Sequence, residues 1–354
     1  MKKPSVLSTA AFATGIAMLA AIGLAQTGPY KVLKTAKVGG DGGFDYVYAD
    51  ADGRRLYVPR TGANPRINVY NLDTLEPVGE IPKASARGAA VDPKSHHGFA
   101  SSKPVVMWDT KDLSIVKTID VQGNPDGIMF DPFNERVWIF SHSQPNATII
   151  DAKDGSVVGT LDLGGAPEQA VSDGKGKMYV DIEDKDQIAA VDTKNLKVTA
   201  HYELGGKGSG PAGLAFDVKN HILFSTCRNP PTVVILNSED GKVITSLPIG
   251  AGTDGATFNP KTMEAFSSNG DGTLSIIKET NPTSFEVEQN LKTMPRAKTL
   301  TMDSKTEHIL LIAAEYGPPP APPADAPKDG APKGGRGGRA PMLPDTFTIL
   351  VAGK

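Results

Sequence analysis

An all-β fold, a seven-bladed β-propeller of four-stranded blades, is predicted by three observations. First, an acidic or amide residue ends an apolar strand and stands seven places before an aromatic or apolar residue in the next; it recurs at Asp50, Asp92, Asp131, Asp217, Asn259 and Asp303, with Asp173 one residue out of register. Second, the intervals run from roughly 39 to 45 residues, the period of a propeller blade. Third, short strands rich in Val, Ile and aromatic residues alternate with Asp, Pro and Gly turns throughout, the pattern of an all-β chain.

One copy shows the blade in full. Pro125-Asp126-Gly127-Ile128-Met129-Phe130 is stopped by Asp131-Pro132, whose proline donates no ladder hydrogen bond. A second strand spans Arg136 to Phe140, a polar loop runs from Ser141 to Asn146, and a third strand spans Ala147 to Ile150. The segment Asp151-Ala152-Lys153-Asp154-Gly155 turns it into a fourth, Ser156 to Leu161. The same third-to-fourth turn starts at Asn71, Asp109, Asp192 and Asn237, where an Asx side chain bonds the backbone two residues on.

The strand count is offset at the ends. Residues from Tyr30 to Gly40 resemble a fourth strand with no blade before it, and the last repeat stops after its third strand, Phe347 to Val351. The N-terminal strand is therefore expected to complete the seventh blade, which removes two free sheet edges.

Residues 1–25 are expected to be a secretory signal peptide: Lys2 and Lys3 precede an apolar run, and Gly23-Leu24-Ala25 offers small residues before Gln26. The remainder, 26–354, reads as one propeller, and the protein is expected to be periplasmic or secreted, monomeric and without a membrane span once the leader is cleaved. Residues 317–345 break the composition with runs such as Pro318-Pro319-Pro320 and Gly334-Gly335-Arg336, and are expected to be a Pro/Gly-rich flexible insertion in the last blade. The net charge of −3 gives no case for gripping nucleic acid through its phosphates. Cys227 is the single cysteine, so no disulfide forms within the chain, and its place at a strand end predicts a buried thiol.

The short turns gather on one face of the ring. The fourth-to-first and second-to-third connections gather on the other, around the channel mouth, where variable loops on a rigid frame carry function. Equivalent positions at the start of the inner strands hold Asp45, Arg87, Asp126, Glu168, Ala212 and Asp254, with Arg296 or Lys298 in the seventh blade. The second-to-third loops add Arg60, Asn64, His142, Glu183, Asp184, Arg228, Asn229, Asn269 and Asp271. The ligand-binding candidates are Asp45, Arg87, Asp126, His142, Glu168, Arg228, Asp254 and Asn269. Carboxylates converging on one mouth suit a hard cation, with Asp45, Asp126, Glu168 and Asp254 as its candidate ligands, or an acid and base pair. The same residues also make a solvated mouth in which Arg87 and its neighbours balance the acids. No organic cofactor is predicted; a divalent cation is the one cofactor this residue set suits.

Signatures of common chemistry are missing from the sequence. The six histidines form neither H-x-H nor H-E-x-x-H, and there is no G-x-S-x-G elbow, P-loop or dinucleotide fingerprint. Gly39-Gly40-Asp41-Gly42-Gly43 joins two strands and opens no helix, so it has the composition of a phosphate loop without its geometry. Trp108 and Trp138 lie in strands and are expected to pack between blades.

The run Pro125-Asp126-Gly127 through Asp131-Pro132 to Val137-Trp138-Ile139, with Leu56-Tyr57-Val58 and Met178-Tyr179-Val180, resembles the YVTN-type β-propeller repeat proteins. That resemblance spans the mature chain and implies an exported propeller, similar to lactonase and quinoprotein-dehydrogenase-like propellers. The family carries no agreed catalytic residues, and the Pro/Gly insertion departs from its repeat. Two functions follow as expectations. One is an exported, non-enzymatic binding or scaffold module that takes a small ligand, cell-envelope component or protein at the mouth. The other is a lactonase-like hydrolase, metal-assisted or not, drawing on Asp45, Asp126, Glu168, Asp254 and His142. A quinone-linked role is weaker, since the sequence offers no central stacking platform.

Overall fold

The computed structural model describes residues 28–318 and 340–354. The leader expected over 1–25 and the central part of the insertion, 319–339, lie outside the described residues. No helix among the described residues is long and apolar enough to cross a membrane.

The repeat residues explain where each strand stops. Side-chain oxygens of Asp50, Asp92, Asp217, Asn259 and Asp303 accept hydrogen bonds from backbone N–H groups two or three residues on, at 2.9 to 3.1 Å for Gly53, Lys94, Lys219, Lys261 and Lys305. Asp131 bonds Phe133 at a longer 3.3 Å, and Asp173, one residue out of register, bonds Lys175 at 2.7 Å. The third-to-fourth turns repeat the device at Asn71, Asp109, Asp151, Asp192 and Asn237. Each such Asx turn stops the strand and reverses the chain while giving the turn amides a side-chain acceptor.

These turns generate seven four-stranded antiparallel sheets. The third blade is Pro125–Asp131, Arg136–Ser141, Ala147–Asp151 and Val157–Leu161, as the sequence predicts. The other inner strands are Tyr48–Asp50, Ala89–Asp92, Pro167–Ser172, Ser209–Asp217, Thr253–Asn259 and Leu300–Asp303. The seventh blade is closed by the N-terminal strand: Lys31–Lys37 runs antiparallel to Thr348–Gly353, with Ala36 opposite Ile349. Tyr30 locks that closure to the sixth blade. Its amide donates to Gln289 Oε1 at 3.0 Å, its carbonyl accepts from Gln289 Nε2 at 2.9 Å, and its hydroxyl donates to Glu264, which also takes Lys354 Nζ at 2.8 Å.

The core lies between blades. Trp108 and Trp138 are fully buried; Trp108 sits 5.6 Å from Tyr57 of the first blade, and Trp138 packs with Met178 and Val180 of the fourth. Cys227 is buried, and burial pushes its thiol well above the usual range. Glycines follow the first inner-strand position in four blades, at Gly88, Gly127, Gly213 and Gly255. A Cβ on Gly127 would stand 2.8 Å from the Glu168 carbonyl, and one on Gly213 2.7 Å from the Gly255 carbonyl carbon. Bare backbone at these positions lets adjacent inner strands close around a narrow channel.

Candidate functional site

Seven blades bring the equivalent residues at or just before the start of their inner strands to one mouth, and there the charged side chains form a closed ring. Arg87 lies between Asp45, 3.1 Å from Nη1, and Asp126, 3.4 Å from Nε. His142 Nε2 is 3.3 Å from Asp126 and 3.7 Å from Glu168. Arg228 Nη2 is 3.5 Å from Glu168 and pairs with Asp254, while its Nη1 pairs with Glu183. Lys298 pairs with Asp254 and reaches Asp45 at 3.1 Å, which returns the chain of contacts to its start. Acidic and basic groups thus alternate around the mouth. The fifth blade carries Ala212 at the equivalent position, and Arg228 from the end of that blade's second strand fills the gap.

Burial and charge set the protonation of the ring. Glu168 is pushed up to about 9, first by burial and then by the Asp254 carboxylate, against the pull of Arg228. It therefore carries its proton at neutral pH. Burial also raises Asp126, with Arg87 opposing. Burial disfavours the charges of Arg87, Arg228 and Lys298, but the carboxylates around each outweigh it and keep all three firmly protonated.

The layer beneath the ring closes the channel. Tyr46 Oη of the first blade donates to Glu168 Oε2 of the fourth at 3.0 Å, across the channel. Gln169 ties the fourth blade to the fifth and sixth: its Oε1 accepts from the amides of Leu214 at 3.1 Å and Ala256 at 2.9 Å, and its Nε2 donates to the Ala256 carbonyl at 2.8 Å. Above lies a mouth cavity of about 1040 Å³, lined by ring residues together with Lys103, Arg296 and Tyr316. Below lies a second cavity of about 340 Å³ inside the channel, lined by Tyr46, Ile128, Phe130, Glu168, Gln169 and Met302. The described ends of the Pro/Gly insertion stand on the rim of the upper cavity: Tyr316 pairs with Met342, and Gly317 N donates to the Pro341 carbonyl at 2.9 Å.

Of the residues singled out from sequence, Asp45, Arg87, Asp126, His142, Glu168, Arg228 and Asp254 are brought together in the ring. Asn269 is not. It is fully buried inside the sixth blade, where its amide donates to Thr273 at 3.1 Å and Ser275 at 3.0 Å and its oxygen accepts from Ser267; the serines and threonines of that blade need a polar partner, and Asn269 supplies it. Arg60 is likewise drawn inward, its guanidinium 3.8 Å over the Phe347 ring, and burial lowers it to about 10. Asp184 and Asp271 turn away to accept from the amides of Ala166 and Ala251, both at 2.7 Å. Lys298, not Arg296, takes the seventh ring position. Tyr46 and Gln169 were not singled out, although a signal exists: they stand where four other blades have glycine.

For a metal, the ligand atoms of His142, Glu168 and Glu183 lie within 4.8 Å of one another. Arg228 holds both glutamates, so a divalent ion there would have to displace a guanidinium. The four carboxylates suggested from sequence, Asp45, Asp126, Glu168 and Asp254, do face one mouth, but each is engaged by a basic side chain of the ring.

No family model matches the chain, and no curated protein matches it in sequence. Among solved structures, a chain from a structure titled Crystal Structure of Mitotic Checkpoint Complex superposes with a TM-score of 0.65, covering 87% of this chain and 95% of that chain at 11% identity. That likeness shows the propeller fold alone.

Proposed function

We propose that the protein is an exported, non-enzymatic binding propeller, a member of the YVTN-type group, that holds a small ligand, a cell-envelope component or a protein at its mouth. The observation that carries this reading is the closure of the ring. Every ring carboxylate is already engaged by a basic group of the protein, so none stands free as a base or nucleophile. The side chains are fixed by their neighbours before any ligand arrives, and such preorganisation lowers the ordering cost of binding. Residues 2–25 support export, since two lysines precede an apolar stretch and a small-residue cleavage site. The test is to screen the mature protein for ligand-induced rises in melting temperature while following lactone turnover and metal content in parallel. A stabilising ligand without turnover is the expected result; turnover that scales with bound metal would end this reading.

A hydrolase of lactonase type is favoured by one observation. Glu168, pushed up to about 9, keeps a proton beside His142, which is a suitable setting for a general acid. Hydrolysis of a lactone by the native protein, lost in Glu168→Gln with the fold retained, would establish it.

A further inference from the structure

We infer that the mouth takes an anion, a small molecule bearing carboxylate or phosphoryl oxygens, and that the ring acids are positioning residues which hold the basic groups up to meet it. The inference rests on the mouth-binding reading above and adds the chemical class of the ligand.

The two signs of charge in the ring lie at different depths. Side chains of Arg87, Lys298 and Arg228 are 47%, 37% and 33% exposed, whereas those of Asp45, Asp126, Asp254 and Glu168 are 18%, 11%, 11% and 9% exposed. The carboxylates form a lower tier and the cations the tier that faces the cavity. The lining repeats the asymmetry: Arg87, Lys103, Arg228, Arg296 and Lys298 border the upper cavity, against Asp45 and Asp254 as its acids. Asp126 and Glu168 lie outside that lining, and Glu168 faces the lower cavity instead.

Each guanidinium has five N–H donors in a fixed fork: Arg87, between two carboxylates, has donors left over, whereas Arg228, which meets three carboxylates and the Thr253 carbonyl, has at most one to spare. Arg296 adds a fork of its own. Its guanidinium is stacked 3.8 Å over the Tyr316 ring at the rim, and the residue is exposed. Stacking fixes the plane of that fork and leaves its edge available for a bidentate contact to planar carboxylate or to phosphoryl oxygens. Lys103 Nζ is held by the Gly123 carbonyl at 2.7 Å on the opposite part of the lining. At about 1040 Å³ the cavity is large enough for a small molecule or for an acidic end of a larger one. A cationic ligand, by contrast, would face five basic side chains in the lining against two acids, Asp45 and Asp254, each of them already paired with basic groups of the ring.

The experiment is calorimetric titration of the mature protein at low salt with four probes: citrate, inorganic phosphate, choline and trehalose. Citrate or phosphate is expected to bind saturably, with affinity falling as sodium chloride rises. Arg296→Gln and Lys103→Gln, whose side chains are exposed and outside the ring, are each expected to weaken that binding roughly five- to tenfold without moving the melting temperature. Failure of both citrate and phosphate to bind, or binding that neither variant weakens, would overturn the anion assignment. Choline or trehalose binding in that event, weakened by Arg87→Gln, would keep the mouth as the site and discard only the ligand class; silence from all four probes would count against the mouth reading as well.

Discussion

Tyr46 of the first blade donates its hydroxyl to Glu168 of the fourth at 3.0 Å, so the floor of the mouth is a hydrogen bond between opposite sides of the ring. That contact buries a carboxyl group that keeps its proton to about pH 9, mainly because burial penalises its charged form.

The protonation of Glu168 sets a pH dependence. Its folded value lies above the unfolded one near 4.5, so between those values the folded chain holds a proton that the unfolded chain has lost. Stability is therefore expected to fall as pH rises from about 5 to 9, by at most about 1.4 kcal/mol per pH unit from this group. Urea midpoints at pH 5.5 and 8.5 check the sign, and Glu168→Gln should flatten the slope. An unchanged slope in that variant would show that Glu168 is ionised throughout.

Arg228 serves Glu168, Glu183 and Asp254 together. Arg228→Ala leaves those acids without their shared cation and is expected to destabilise by about 2 kcal/mol, less than for a fully buried pair because the side chain is one-third exposed. Adding Asp254→Asn to Arg228→Ala should recover part of the loss. A double-mutant cycle by urea denaturation measures the coupling, and strict additivity would mean that the pair is not formed in solution.

Gly98 faces the Trp108 indole across neighbouring strands of the second blade, and a Cβ there would stand 2.1 Å from the ring. Gly98→Ala is therefore expected to cost about 1 to 3 kcal/mol by forcing the buried indole aside. A calorimetric melt reads the loss directly, with Gly206→Ala as control, since nothing lies within 4 Å of that glycine; its backbone φ of +62° still adds a small strain.

Ring closure gives a further prediction. Deleting residues 30–38 removes the strand paired with Thr348–Gly353 and the Tyr30 contacts to Gln289 and Glu264. The melt of the entire protein, not of one blade, is expected to fall, because the last inter-blade seam is then open on one side. An unchanged melting temperature would mean that the seventh blade is stable with three strands.

Much of this arrangement is legible in the sequence, and the reason is counting. Five places before each repeat Asx stand Asp45, Arg87, Asp126, Glu168, Ala212, Asp254 and Lys298, and a fixed strand register carries all seven to one end of the channel. The same count distinguishes Lys298 from Arg296. What counting does not reach is the direction of a side chain that leaves a loop. Arg60, His142, Arg228 and Asn269 all stand near the ends of second strands, yet Arg60 and Asn269 are pulled into the interior by Phe347 and by buried hydroxyls, whereas His142 and Arg228 meet the carboxylates of the mouth. Tyr46 and Gln169 escape notice for a different reason. Their role depends on the narrowness of the channel, which is set by glycines in other blades.

The most direct measurement of the central claim, that the mouth is a preorganised binding face, is a pair of low-salt citrate titrations by calorimetry on the native protein and on Arg87→Gln. Arg87 lies in the solvent-facing tier, and its loss leaves Lys298 on Asp45 and His142 beside Asp126, so the variant is expected to fold. The predicted result is a saturable isotherm for the native protein that weakens at least about tenfold in the variant. Equal affinities in the two proteins would contradict the account and move the binding face away from the mouth.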